Sequence, residues 1–196
     1  MSTTTANRTT STTVTKSNGA VRVIALLTMI AGLIFIIAGG ATWAMVTSQL
    51  KDEQITVAAV TAADPGSLAG KAVQDPFTAY AQANAIKHHS LTAGGGLTYA
   101  QLGTAITAQT AKLTKSGMSA ADAAKDPSVV KLTTERTTSM NGSFLRASLF
   151  TSVVAFGIAA LVMGLGVLFI LIGWAMRKLA GDAQLSVVTS EPSAAA

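Results

Sequence analysis

The sequence predicts an all-α membrane protein: two transmembrane helices flanking a small, mainly helical extracytoplasmic module with room for one short strand. Three observations predict it. Of 196 residues, 49% are hydrophobic and only 12% are charged, about half the charged share of an ordinary soluble domain. The charges are missing from two long stretches and close to normal elsewhere. Lysine and arginine gather at the two chain-terminal flanks of those stretches, as the orientation rule for membrane helices requires. The predicted organisation is a disordered cytoplasmic tail (1–21), transmembrane helix 1 (22–46), an extracytoplasmic helical module (47–146), transmembrane helix 2 (147–176) and a cytoplasmic tail (177–196).

The N-terminal tail has serine or threonine at eleven of its first twenty positions, with no acid and hardly any apolar residue. Such a composition cannot bury enough surface to order itself. It would suit a Ser/Thr kinase, whose phosphates would cancel the tail's positive charge beside an anionic leaflet; a plain solvated leader is the simpler expectation.

Val23 to Val46 holds no charge over 24 residues, which as a helix reaches about 36 Å and crosses the hydrocarbon. Ala147 to Met176 is uncharged over 30 residues, so its helix tilts or projects beyond the lipid. Trp43 and Trp174 lie near span ends and are expected as interface anchors, with Arg22, Arg177 and Lys178 marking the cytoplasmic side. Both termini are therefore expected in the cytoplasm of a plasma-membrane protein. The rival expectation for the first stretch is a cleaved signal peptide, with Ala38 to Ala41 as small residues; its apolar run exceeds a normal signal core of about 7–15 residues.

Small residues recur every seven positions along both spans: Ala25, Gly32 and Gly39 in the first, Ser152, Ala159, Gly166 and Gly173 in the second. Seven residues are nearly two turns, so each set makes a narrow stripe along which another backbone can approach closely. Ala160 and Gly164 add a small pair on a neighbouring face. One stripe is expected to pack the spans together, and another face to serve a partner subunit.

The segment between the spans carries nine basic and seven acidic side chains. Ile55 to Ala62 is β-branched enough for a short strand or an extended strap, although no partner strand is evident, and Ala63-Asp64-Pro65-Gly66 closes it with a turn. Asp75-Pro76 reads as the cap and first residue of a helix running to Gly94. Phe77, Tyr80, Asn84, His88 and Leu91 share one face of it, expected to be packed, with His89 facing out. Thr98 with Gln101 forms a capping box for a second helix to about Lys115, and Ser119 with Asp122 repeats the signature weakly. Asp126-Pro127 opens a stretch that can run into the second span, with Gly142 as the only breaker.

Chemistry is sparse. With no cysteine, disulfides, thiolate metal sites and cysteine nucleophiles are excluded. His88 and His89 are adjacent and point about 100° apart on a helix, so one ion is not easily chelated by both; an intersubunit metal site or pH switch stays open beside the plain packed or solvated pair. No phosphate loop, nucleophile elbow or dinucleotide fingerprint occurs. The spans carry no ionisable group, which argues against ion-coupled transport. The net charge of +5 lies beside the apolar stretches rather than in a patch, so no nucleic-acid partner is expected. Asn141-Gly142-Ser143 matches a glycosylation sequon, a short and unspecific signal.

Several stretches together resemble a group of small actinobacterial integral membrane proteins, many of them labelled aromatic ring-opening dioxygenases. The carrying residues are AGGATWAMVTSQL (Ala38 to Leu50), Ile55-Thr56-Val57, Ala69-Gly70-Lys71, Pro76-Phe77-Thr78-Ala79, and SFLRASLFTSVVAFGIAALVMGLGVLFILIGW (Ser143 to Trp174). The likeness fades over about Thr104 to Lys125 and in both tails. It implies two spans and an external segment in a Gram-positive envelope. The enzyme label does not carry over, because extradiol dioxygenases hold iron with two histidines and a carboxylate, and the only histidines here are neighbours. The expectation is a non-enzymatic structural or accessory subunit, without cofactor, in a homo-oligomer or larger envelope complex; the alternative is a lipid- or small-molecule-binding accessory, or an oligomeric channel.

Overall fold

The computed structural model describes residues 10–14, 19–182 and 185–189. It is helical, with β1 (Thr10–Val14), α1 (Gly19–Asp52), α2 (Pro76–Ala93), α3 (Tyr99–Lys115), α4 (Ala120–Ala123), α5 (Pro127–Asp182) and β2 (Leu185–Thr189) in chain order. α1 and α5 are long and apolar enough to cross a membrane. The chain divides into two compact units, Met1–Ala38 with Val162–Ala196, and Gly39–Leu161.

In the first unit, segments of α1 and α5 run antiparallel. β1 pairs antiparallel with β2, from Thr10 opposite Thr189 to Val14 opposite Leu185. Composition alone reads both tails as unstructured; the local signal it passes over is the β-branched run Thr12-Thr13-Val14 and its counterpart Val187-Val188-Thr189. Of the rest of the predicted tails, residues 19–21 belong to α1 and 177–182 to α5, and the remainder lies outside the described residues.

In the second unit the core joins Leu50, Val57, Val73, Ala79, Ala83, Leu149 and Phe156. The strap after α1 does have a partner: the Val57 N–H donates to the Lys71 carbonyl at 2.8 Å and the Val73 N–H to the Ile55 carbonyl at 2.9 Å. Only Thr56 and Ala72 form a bridge, so the strap stays extended without becoming a strand. The turn closes on Gly66, whose φ of 84° suits a residue without a Cβ.

α2 starts where its cap dictates. Asp75 accepts from the Phe77 and Thr78 N–H groups, and Thr78 returns a bond to the cap backbone. α3 begins with the Thr98–Gln101 box, and Ser119 accepts from the Asp122 N–H ahead of α4. α5 runs unbroken for 56 residues, and Gly142 does not interrupt it.

The orientation of α2 is a correction. The face of Phe77, Tyr80, Asn84 and His88 is exposed, Phe77 by 76% and Tyr80 by 52%, while Thr78, Ala79, Gln82, Ala83 and Ala85 are buried. The helical period is right and the side is reversed. Small side chains face inward because α2 comes so close to α5 that a Cβ on Gly142 would overlap the Ser90 side chain. Aromatic rings cannot occupy so narrow a gap. Gln82 is buried with purpose: its side-chain oxygen accepts from the Ala58 N–H at 2.7 Å, satisfying a strap amide.

Candidate functional site

Three sets of residues merit attention: the small-residue stripes, the histidine pair, and a cavity among α2, α3 and α5. The stripes are brought face to face. In the first unit a Cβ on Gly32 would lie 2.5 Å from the Gly166 carbonyl oxygen, and one on Gly166 would lie 2.6 Å from the Gly32 carbonyl oxygen. A Cβ on Gly173 would meet the Ala25 carbonyl oxygen at 2.6 Å. Numbers rise along α1 as they fall along α5, so the register is antiparallel, and Ala25 is fully buried. Phe35 and Phe169 close the seam's edge with ring centroids 5.6 Å apart.

In the second unit Gly39 and Ala159, the next members of the two stripes, are both buried. Ser152 is half-buried, and its hydroxyl donates to the Ser148 carbonyl at 3.3 Å. Thr28 and Thr151 likewise donate one turn back, each at 2.9 Å. These three hydroxyls are thus satisfied within their own helices.

The expected anchors fall into two groups. Trp174 is 56% exposed, with the Lys178 ammonium 5.5 Å from its ring centre one turn on. Arg22 and Arg177 are exposed. Trp43, by contrast, packs edge-on against the buried Phe156 at 4.7 Å and belongs to the rim of the core. Its ring therefore serves packing as well as any interface role.

The histidines do not converge. Their ring centres are 6.0 Å apart, tilted by 71°. His89 is exposed, as the helical spacing predicts, and its Nε2 lies 2.9 Å from the Ala59 carbonyl oxygen, which ties α2 to the strap. His88 is exposed.

The cavity has a volume of about 350 Å³ and is lined by Lys87, Ser90, Leu91, Thr98, Tyr99, Ala100, Ser139, Ser143 and Arg146. Two cations and several hydroxyls line it, and no carboxylate does. The Arg146 guanidinium lies 5.6 Å from the Phe150 ring centre, and its Nε is buried without a hydrogen-bond partner. Next to the cavity the Arg136 guanidinium stacks on the Tyr99 ring at 4.1 Å, and its Nε too is buried and unpartnered. Sequence spacing does not reveal this group, since Lys87 and Arg146 lie far apart in the chain and meet only through packing of α2 on α5.

At the head of α5 the Ser128 hydroxyl and N–H both donate to Asp126 Oδ1. These bonds, the hydroxyl's first, hold the Asp126 carboxyl below its ordinary value of 3.8. The Gln109 amide donates to the Ser128 hydroxyl at 2.9 Å and links α3 to the same corner.

The fold therefore defines a helical protein with two helices long and apolar enough to cross a membrane. No family model matches the chain, and no curated protein or solved structure is significantly similar to it.

Proposed function

We propose that this chain is a non-catalytic integral membrane protein, a structural or accessory subunit that assembles with itself or with a larger envelope complex. α1 and α5 cross the plasma membrane, both termini lie in the cytoplasm, and residues 47–146 are presented outside. The membrane reading rests on exposure: only 11% and 17% of the most apolar window of each helix is buried, whereas the core helix of a soluble protein is mostly covered. Phe77, Tyr80 and Phe144 are exposed, and the Tyr80 ring lies 5.9 Å from that of Phe150, near the start of the second apolar stretch. Aromatic rings at that level suit a headgroup layer.

The observation that carries the assembly role is a second small-residue face left open. Nothing lies within 4 Å of a Cβ placed on Gly157 or Gly164, and Ala160 between them is exposed. In lipid, close van der Waals approach rather than the hydrophobic effect draws helices together, so such a face gains most from a second helix. Blue-native electrophoresis and mild-detergent pull-down at native expression test it. Wild type should migrate as a complex of defined size, and Gly164→Leu should reduce it to the single chain; unchanged migration would count against the assembly role. The lipid- or small-molecule-binding reading is favoured by one observation, the cationic cavity.

A further inference from the structure

We infer that the cavity among α2, α3 and α5 binds a phosphate-type oxyanion, carried either by an anionic lipid headgroup or by free phosphate. This goes beyond the assembly role and does not depend on it. Lys87 and Arg146 come from different helices into one cavity of about 350 Å³. The one ion pair among the described residues is Lys131 with Glu135, so neither cavity cation is paired with a carboxylate among the described residues. Two cations lining one space without an acid favour a ligand with at least one negative charge.

Hydrogen bonding narrows the ligand. Arg146 Nε is buried without a partner, a costly state for a charged donor unless a ligand supplies the acceptor. A guanidinium offers a planar fork that matches phosphate oxygens, and a lysine adds a point charge. The hydroxyl-bearing Ser90, Ser139 and Tyr99 line the same space and can donate to further oxygens, whereas the Ser143 hydroxyl already donates to the Ser139 carbonyl at 3.0 Å. A carboxylate would leave much of this donor set unused, whereas a tetrahedral phosphate presents several acceptors at once. Arg146 immediately precedes the uncharged stretch beginning at Ala147, where a lipid phosphate would lie if α5 crosses the bilayer.

The test uses the full chain purified in mild detergent. Dissociation constants are measured by microscale thermophoresis for inorganic phosphate, for short-chain phosphatidylglycerol and for short-chain diacylglycerol as the phosphate-free reference. Wild type should bind at least one of the first two at least tenfold more tightly than diacylglycerol. Binding of phosphate alone assigns a free oxyanion, and binding only of phosphatidylglycerol assigns a headgroup. Lys87→Gln should weaken that binding about tenfold, and Lys131→Gln, outside the cavity, should leave it unchanged. Lys87 is exposed, so its replacement spares the fold even if Arg146→Gln does not. Equal binding of all three probes, or a Lys87→Gln variant that binds as wild type does, would overturn the inference. Blue-native migration of the same variants, recorded alongside, separates loss of anion binding from loss of assembly.

Discussion

Gly32 and Gly166 are packed over each other's carbonyl oxygens, so that a Cβ on either would fall 2.5 or 2.6 Å from the other's backbone. The relation is reciprocal, and both partners are helical backbone, which cannot yield as the tip of a side chain can. A bond from Cα–H to carbonyl oxygen accompanies approaches of this kind in membrane helix pairs.

Gly32→Ala and Gly166→Ala should each destabilise the paired helices by about 1–3 kcal/mol through overpacking, and leucine by more. Gly40→Ala, where a Cβ meets nothing within 4 Å, should be neutral or slightly stabilising. Unfolding in mild detergent by added dodecyl sulfate, followed by tryptophan fluorescence, orders these variants.

Gly142→Ala should act on the second unit, because the new methyl overlaps Ser90 and also approaches its Cβ at 3.0 Å. The Ser90 hydroxyl can turn aside, but its Cβ has to give way slightly, so a loss at the low end of about 1–3 kcal/mol is expected, accompanied by faster hydrogen exchange in α2. Exchange protection unchanged along Pro76–Ala93 would contradict the close contact.

Gln82→Leu removes the acceptor of the Ala58 N–H while keeping similar bulk. The orphaned amide should cost about 1–3 kcal/mol, and the strap should become the first site of limited proteolysis. Gln82→Glu retains an acceptor and should cost less at neutral pH.

Asp126 supplies a pH dependence whose sign is fixed. Its folded value lies below 3.8, so its contribution to stability is complete above that ordinary value and is lost as the pH falls through the lowered folded value. Ser128→Ala removes the hydroxyl that is the largest cause of the lowering and should shift the acid-side loss of stability to higher pH. Thermal unfolding of both proteins between pH 2 and pH 6 checks the direction.

How much of this was legible in the sequence depended on range. Helix starts were legible at Asp75-Pro76, Thr98 and Ser119 because a cap acts within three residues. The seven-residue stripes were legible because a helix repeats its face locally. The buried side of α2 was not: Phe77 and Tyr80 mark a face by size, but Gly142 on a different helix decides that Thr78, Ala79 and Ala83 go inward. Nor was the cavity, whose cations Lys87 and Arg146 become neighbours only through that same packing. The pairing of the strap with Lys71 and Val73 was hidden because neither segment makes a full strand.

The most direct test of the account is the sidedness of its loops, and the absence of native cysteine makes it clean. Single-cysteine variants Ala111→Cys in α3 and Ser17→Cys in the N-terminal tail are expressed in intact cells and treated with a membrane-impermeant maleimide. The two-span account predicts that Ala111→Cys labels in intact cells and that Ser17→Cys labels only after permeabilisation. Labelling of Ser17→Cys in intact cells, protection of Ala111→Cys, or recovery of either in the soluble fraction would contradict it.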